Sequence, residues 1–176
     1  MNGIRNKDSN IYIAFVGSRK APDFVIEKYA QFAEEYAKRG CILRSGNAYG
    51  FDQVLKNIQE NRREIYLPYD GFGPKISGDN VYIPSRFPNY KQAVAIVRML
   101  HPNKKLNDIH IKYLARDVYQ ILGKDLDTPC DKVYCWTEDG AQRVSEITPN
   151  TGGTAMAIRV AEQYHIPVIN LKRRMI

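Results

Sequence analysis

The sequence predicts an α/β fold, a mostly parallel sheet with helices on both faces, in a single domain of 176 residues. Three observations predict it. Short β-branched and aromatic runs alternate with stretches of helical period, the pattern of strands joined by crossover helices. Glycine turns close several of the apolar runs where the next helix opens. No repeat or linker divides the chain, and its length is enough for one good-sized core. Ligands on such sheets bind beyond the carboxyl ends of the strands, which is where those turns fall.

The first ten residues are polar. Ile11-Tyr12-Ile13-Ala14-Phe15-Val16 then reads as a buried parallel strand, ended by Gly17. Phe24, Ile26, Tyr29, Phe32, Ala33 and Tyr36 recur at helical spacing up to Gly40, a good C-terminal stop. Cys41 to Arg44 is a second strand, Ser45 to Gly50 a turn, Phe51 to Asn61 a helix, and Glu64 to Pro68 a third strand. From 70 to 90 glycine and proline interleave with Tyr82, Phe87 and Tyr90, which predicts a long, partly ordered loop. Lys91–Leu100 and Lys112–Leu122 read as helices parted by His101-Pro102-Asn103. Lys132 to Trp136 is a strand, 138–151 a polar loop, Ala155 to Tyr164 a helix, and Ile166 to Leu171 the last strand. The domain thus runs from 11 to 171, followed by a basic tail, 172–176.

Composition narrows the partner. Hydrophobic residues make up 44% and the formal charge is +7, which favours a polyanionic ligand such as a nucleotide or a nucleic acid. Cys41, Cys130 and Cys135 are odd in number and lack metal-ligand spacing, so they read as idle thiols of a reducing cytoplasm. His101, His110 and His165 are scattered, and no metal or cofactor is expected. No run is long enough to span a bilayer and no apolar leader opens the chain, so the expected location is cytoplasmic, away from membranes.

Three motifs carry the functional reading. Gly17-Ser18-Arg19-Lys20 joins a tight turn to a hydroxyl and a guanidinium fork, which can hold two phosphate oxygens at once. The bland alternative is a turn whose arginine faces solvent. In Arg44-Ser45-Gly46-Asn47-Ala48-Tyr49-Gly50-Phe51-Asp52, the glycines allow close backbone approach, and Ser45 and Asn47 offer hydrogen bonds. Asp52 either complements a helix dipole or meets a ribose hydroxyl or guanidinium. Thr151-Gly152-Gly153-Thr154 is the third anion seat. Capping alone explains Thr154, but two glycines ahead of it cost chain entropy and point to a phosphate. For a polymer, phosphates would cross Arg19, Lys20 and Arg44, with bases stacking on Tyr82, Phe87 and Tyr90. The alternative for those rings is packing against the core.

Taken in order, Gly17-Ser18-Arg19, the Ser45–Asp52 stretch, Cys135-Trp136-Thr137 and Gly152-Gly153-Thr154 ahead of Ile166–Leu171 resemble the SLOG superfamily of Rossmann-like proteins. Within it the match is to DprA/Smf-like DNA-processing proteins, including the short single-domain forms common in phages. The resemblance implies three phosphate sites: Gly17, Ser18 and Arg19; Ser45, Gly46, Gly50 and Asp52; and Gly152, Gly153 and Thr154. Similar proteins carry Arg-Asn on the helix before the Cys-Trp strand, where this chain has Arg116-Asp117. The carboxylate adds negative charge beside the expected pocket. A homodimer through the helical faces is also implied.

The resemblance leaves binding and catalysis both open. A second branch, LOG-type phosphoribohydrolases, cleaves nucleoside 5′-monophosphates with a Pro-Gly-Gly-x-Gly-Thr-x-x-Glu signature. Laid on Pro149 to Ala157, its glutamate falls on Ala157, which has no proton to give. Asp117 and Glu146 are the substitute candidates for catalysis, with Glu138 and Asp139 in the same loop as Glu146. The leading expectation is therefore a binder of nucleotide or single-stranded nucleic acid. The alternatives are a nucleotide N-glycosidase, and a sensor or sponge that captures a nucleotide-derived signal unchanged.

Overall fold

A computed structural model of the protein describes residues 9–174. Residues 1–8 and 175–176, which include most of the polar N-terminal segment and the end of the basic tail, lie outside them. Six strands form one sheet: β1 (Tyr12–Gly17), β2 (Ile42–Ser45), β3 (Arg63–Tyr66), β4 (Val81–Tyr82), β5 (Lys132–Trp136) and β6 (Val168–Asn170). Every pairing is parallel and the order is β4-β3-β2-β1-β5-β6. The chain builds outward from β1 to β4, then returns to add β5 and β6 on the other side. That reversal opens a crevice at the carboxyl ends of β1 and β5.

The helices are α1 (Asp23–Lys38), α2 (Tyr90–Leu100), α3 (Asp108–Leu122) and α4 (Thr154–Gln163). The two faces of β1 explain where they sit. Ile13 and Phe15 pack with Val25, Tyr29 and Ala33 of α1, while Tyr12, Ala14 and Val16 pack under α2, α3 and α4. Both sets are buried, so the strand reads as one continuous apolar run. The expected fold class is the one observed.

Local differences have local causes. No helix spans 51–61: the chain makes short 3-10 turns at Phe51–Leu55 and Glu60–Arg62. The Phe51 N–H donates to the Ser18 carbonyl and the Asp52 carboxylate turns back on Ala48, which ties this turn to the end of β1. Within the expected 70–90 loop, β4 adds a two-residue strand, and Tyr82 and Phe87 pack on Tyr66 and Tyr119. Helix α3 starts four residues early because Asn107 caps it, its Oδ1 accepting from the His110 N–H at 3.0 Å. The last strand is short: Ile166 donates back to Ala161 of α4, and Leu171 opens a 3-10 turn, Leu171–Arg174.

Cys41, Cys130 and Cys135 are buried and unpaired. Among the described residues, no helix is long and apolar enough to cross a membrane and no cluster has metal-ligand character.

Candidate functional site

A cleft of about 710 Å³ opens at the reversal point. The turn after β1 forms one wall, the start of α4 another, and the inward face of α3 the third. It brings together Gly17, Ser18, Arg19, Asp52, Arg116, Asp117, Gly152, Gly153 and Thr154 of the residues expected from sequence. Ser45, Gly46, Asn47, Gly50 and Glu146 do not line it.

The turn after β1 spends its amides on the protein itself. The Ser18 N–H donates to the Trp136 carbonyl at 3.0 Å, and the Gly17 N–H to Asp52 Oδ1 at 3.3 Å. Ser18 Oγ accepts from the Lys20 N–H at 3.0 Å. What this turn offers the cleft is charge, since Arg19 and Lys20 are exposed. Lys20 also meets Glu138 at 2.8 Å, an exposed pair of the kind that contributes little stability.

The Ser45–Asp52 stretch is structural glue. Ser45 Oγ donates to the Phe15 carbonyl at 2.6 Å. Asn47, at φ 60, donates from Nδ2 to the carbonyls of Phe72 and Pro74 at 3.1 and 2.8 Å and so pins the following loop. A Cβ on Gly50 would stand 2.5 Å from the Arg19 Cα. A Cβ on Gly46 would meet Arg116 Nη1 and Gln120 Nε2, each at 2.6 Å. Protein, not ligand, fills those approaches.

The start of α4 is more open, although the Gly152 N–H donates to the Pro149 carbonyl at 3.4 Å. Gly152 and Gly153 are exposed, and a Cβ on either meets nothing within 4 Å. The helix that follows runs for ten residues, with Thr154 buried at its start. The loop before it is organised by Asp139, whose oxygens accept from Thr137 Oγ1 and Thr148 Oγ1 at 2.7 Å, from Thr151 Oγ1, and from the Ala141 N–H at 3.2 Å. Burial works against the charge, but these donors, Thr151 foremost, hold the carboxyl at about 2. Arg173 fastens the same loop from outside through the Gly140 carbonyl at 2.7 Å and Glu146 at 2.6 Å.

The floor comes from α3. Arg116 Nη1 donates to the Gly46 carbonyl at 2.6 Å, and its guanidinium lies 4.6 Å over the Phe72 ring. Burial lifts the Asp117 carboxyl to about 7, with Arg116 opposing the rise and the Asp52 charge adding to it. Gln120 Nε2 donates to Asp117 Oδ1 at 3.3 Å. Asp52 is also raised by burial, against the pull of Arg116 and the N–H groups of Ala48 and Gly17. Among the described residues, the buried Arg116 Nε and Gln120 Oε1 find no hydrogen-bond partner. The cleft therefore holds two carboxyls near one guanidinium, and one of them exchanges its proton near neutral pH.

Several expectations are corrected. Arg44 does not track phosphates: it is 1% exposed, stacks 4.0 Å over Tyr12, and donates to Glu64 at 2.7 Å and to the Thr128 carbonyl at 2.6 Å. Tyr82, Phe87 and Tyr90 pack against the α2–α3 core and form no part of the cleft wall. Glu146 is bound to Arg173 and to the Gln142 N–H at 2.8 Å. Ala157 is fully buried in the core. Sequence reasoning missed Leu106, His110, Tyr113, Leu114 and Gln120. The signal was present: His110, Tyr113, Leu114 and Asp117 fall at i, i+3, i+4 and i+7 on α3, one face of a helix.

No protein-family model matches the chain, and no curated protein matches its sequence. A similar solved structure is that of DNA processing protein A from Helicobacter pylori, described for its single-stranded DNA binding mode. The two share 17% identity and a TM-score of 0.53, over 97% of this chain and 75% of the other. At that identity the likeness is one of fold.

Proposed function

We propose that this protein binds the phosphate backbone of single-stranded nucleic acid, or of a nucleotide, in the cleft at the reversal point. The observation that carries the reading is the open Gly152–Gly153 turn at the start of α4, sharing one cleft with the exposed Arg19 and Lys20. A helix N-terminus with unobstructed backbone and nearby cations attracts an anion. The +7 charge supports a polyanion, and the fold is shared with a protein studied for its single-stranded DNA binding. In this reading Gly152, Gly153, Thr154 and Arg19 touch phosphate, Arg116 and Asp52 shape the floor, and Ser45, Gly46, Asn47 and Gly50 hold it from behind.

Fluorescence anisotropy with a labelled oligothymidylate across a salt series tests it. Binding should weaken steeply with salt through counterion release, and Arg19→Ala should lower affinity about tenfold and flatten the slope. A shallow slope with a tight mononucleotide would favour a free nucleotide, captured unchanged as by a sensor or sponge. No binding of either ligand overturns the reading.

A second reading, nucleotide N-glycosidic hydrolysis, is favoured by one observation: the Asp117 carboxyl in the cleft stands at about 7. Water would replace the base at the sugar carbon: Asp117 gives its proton to the departing base, and the carboxylate left behind takes the proton that the attacking water loses. Chromatography of nucleoside monophosphates incubated with the protein decides it. Release of free base, lost in Asp117→Asn, supports hydrolysis, and no release from any of them ends it. A cytoplasmic location is proposed alongside either reading, and light scattering would test the homodimer implied by the resemblance.

A further inference from the structure

Two buried carboxyls share the floor of the cleft with the Arg116 guanidinium. Asp52 is 6% exposed and Asp117 8%, and both line the cleft beside Arg116. We infer that anion binding in this protein is proton-coupled: the ligand's negative charge enters together with a proton that lodges on the Asp117 carboxyl. The inference rests on the binding reading above and adds how pH regulates that site.

Hydrogen bonding decides which carboxyl takes the proton. Asp52 accepts from the Ala48 N–H at 3.0 Å and the Gly17 N–H at 3.3 Å, fixed backbone donors that favour its charged form. Asp117 accepts at Oδ1 from Gln120 Nε2, at 3.3 Å, and from no other donor among the described residues. The same amide leaves Gln120 Oε1 buried with no partner. A protonated Asp117 supplies the missing donor, because a carboxylic acid and a primary amide can each give one hydrogen bond and take one. The neutral pair is satisfied where the ionised pair leaves an acceptor orphaned.

Charge points the same way. Arg116 draws both carboxyls toward ionisation, yet burial outweighs it and lifts Asp117 to about 7. A phosphate brought into the same cleft sets like charge beside like and raises the proton affinity of a buried carboxyl further. The rim adds Arg19 and Lys20 from the turn after β1, with Lys20 paired to Glu138. The start of α4 faces Asp117 with Thr151, Thr154 and the glycine pair, which carry no formal charge. On α3 the Tyr113 phenol stays protonated, pushed up by its hydrogen bond with Tyr69. His101, after α2, and His110, on α3, also line the cleft and are the competing proton carriers.

A labelled oligothymidylate without a terminal phosphate is the probe, since phosphodiesters keep their charge across neutral pH whereas a phosphate monoester titrates near pH ~6. At constant salt, wild-type binding should be about tenfold weaker at pH 8 than at pH 6, the loss expected when one group near 7 must be protonated. Calorimetry at pH 8 in two buffers of different ionisation heat should show uptake of about one proton per ligand, falling toward none at pH 6. Asp117→Asn keeps the amide contact without the charge. Its binding should be flat with pH, about tenfold tighter than wild type at pH 8, and free of proton uptake. His101→Gln and His110→Gln, singly and together, should keep the wild-type dependence. If Asp117→Asn fails to fold, proton uptake retained in the double histidine variant carries the test. Equal wild-type binding at both pH values with no proton uptake overturns the coupling and leaves anion binding standing. So does a pH dependence that survives in Asp117→Asn or is lost in the histidine variants. No binding at either pH overturns anion binding first, and the coupling with it.

Discussion

The glycine turn after β2 and the glycine pair ahead of α4 look alike in sequence and are put to opposite uses. After β2, Gly46 and Gly50 are small because the protein presses against them: Arg116 and Gln120 on one, the backbone of Arg19 on the other. Ahead of α4, Gly152 and Gly153 face open space. A glycine at a strand end announces a close approach and is silent about what approaches. Acidic groups separate the two turns as well. The crowded turn leans on Asp52 and the floor carboxyl Asp117, both pushed toward neutrality by burial. The open turn is anchored by Asp139, held ionised by four donors.

The contrast breaks most visibly at Gly50. It sits at φ 83 with backbone 2.5 Å from where a Cβ would stand. Gly50→Ala should therefore cost about 3 kcal/mol or more in urea unfolding, the scale of a strained backbone plus a clash. A cost below about 1 kcal/mol would mean that this turn is as open as the other.

Asp117 comes next. Its folded carboxyl, at about 7, binds a proton more tightly than the ordinary value of 3.8, so its contribution is full below 3.8 and is lost as pH rises through 7. Asp117→Asn should remove that decline, gaining on the order of 2 kcal/mol relative to wild type at pH 8 compared with pH 5. Parallel stability curves for the two proteins would sink the expectation. Asp139 runs the other way. Its contribution is present above 3.8 and is lost as pH falls through about 2. Asp139→Asn should flatten the acid limb of the thermal-melt profile by on the order of 1 kcal/mol, since the group is partly solvated.

The smallest effect sharpens the comparison most. Gly153 has ordinary helical angles, φ −61 and ψ −23, with room for a methyl group. Gly153→Ala should leave the melting temperature unchanged or raise stability by about 0.5 kcal/mol, while anion binding weakens. A loss of stability with binding intact would reverse the roles of the two turns.

How much of this was legible before the structure depends on direction. The strands, their glycine ends and the two-faced sheet follow from periodicity, because a buried parallel strand reads as an unbroken apolar run in any context. Arg44 shows what periodicity hides. A charge written beside a glycine turn looks like a phosphate grip, yet its strand delivers it to a buried face, where Glu64 and the Thr128 carbonyl neutralise it. The 51–61 stretch has good helical composition, but the Phe51 N–H bonded to the Ser18 carbonyl and the Asp52 carboxylate accepting from the Gly17 and Ala48 N–H groups override it. Tyr82 and Phe87 order their loop by packing on the core, the alternative their sequence allowed beside base stacking, and a ring carries no mark of which neighbour it will meet. The α3 wall was visible as one helical face, but that face points to a cleft only once the crossover from β4 to β5 is known.

Arg173 reaches from beyond the last strand to clip the 138–151 loop, through Gly140 and Glu146, and it is itself exposed. A protease that nicks the basic segment would therefore slacken the rim that presents the glycine pair while leaving every cleft residue in place. Damage at the periphery would read out as lost ligand affinity, and a bound ligand, by steadying the rim, would slow the cut.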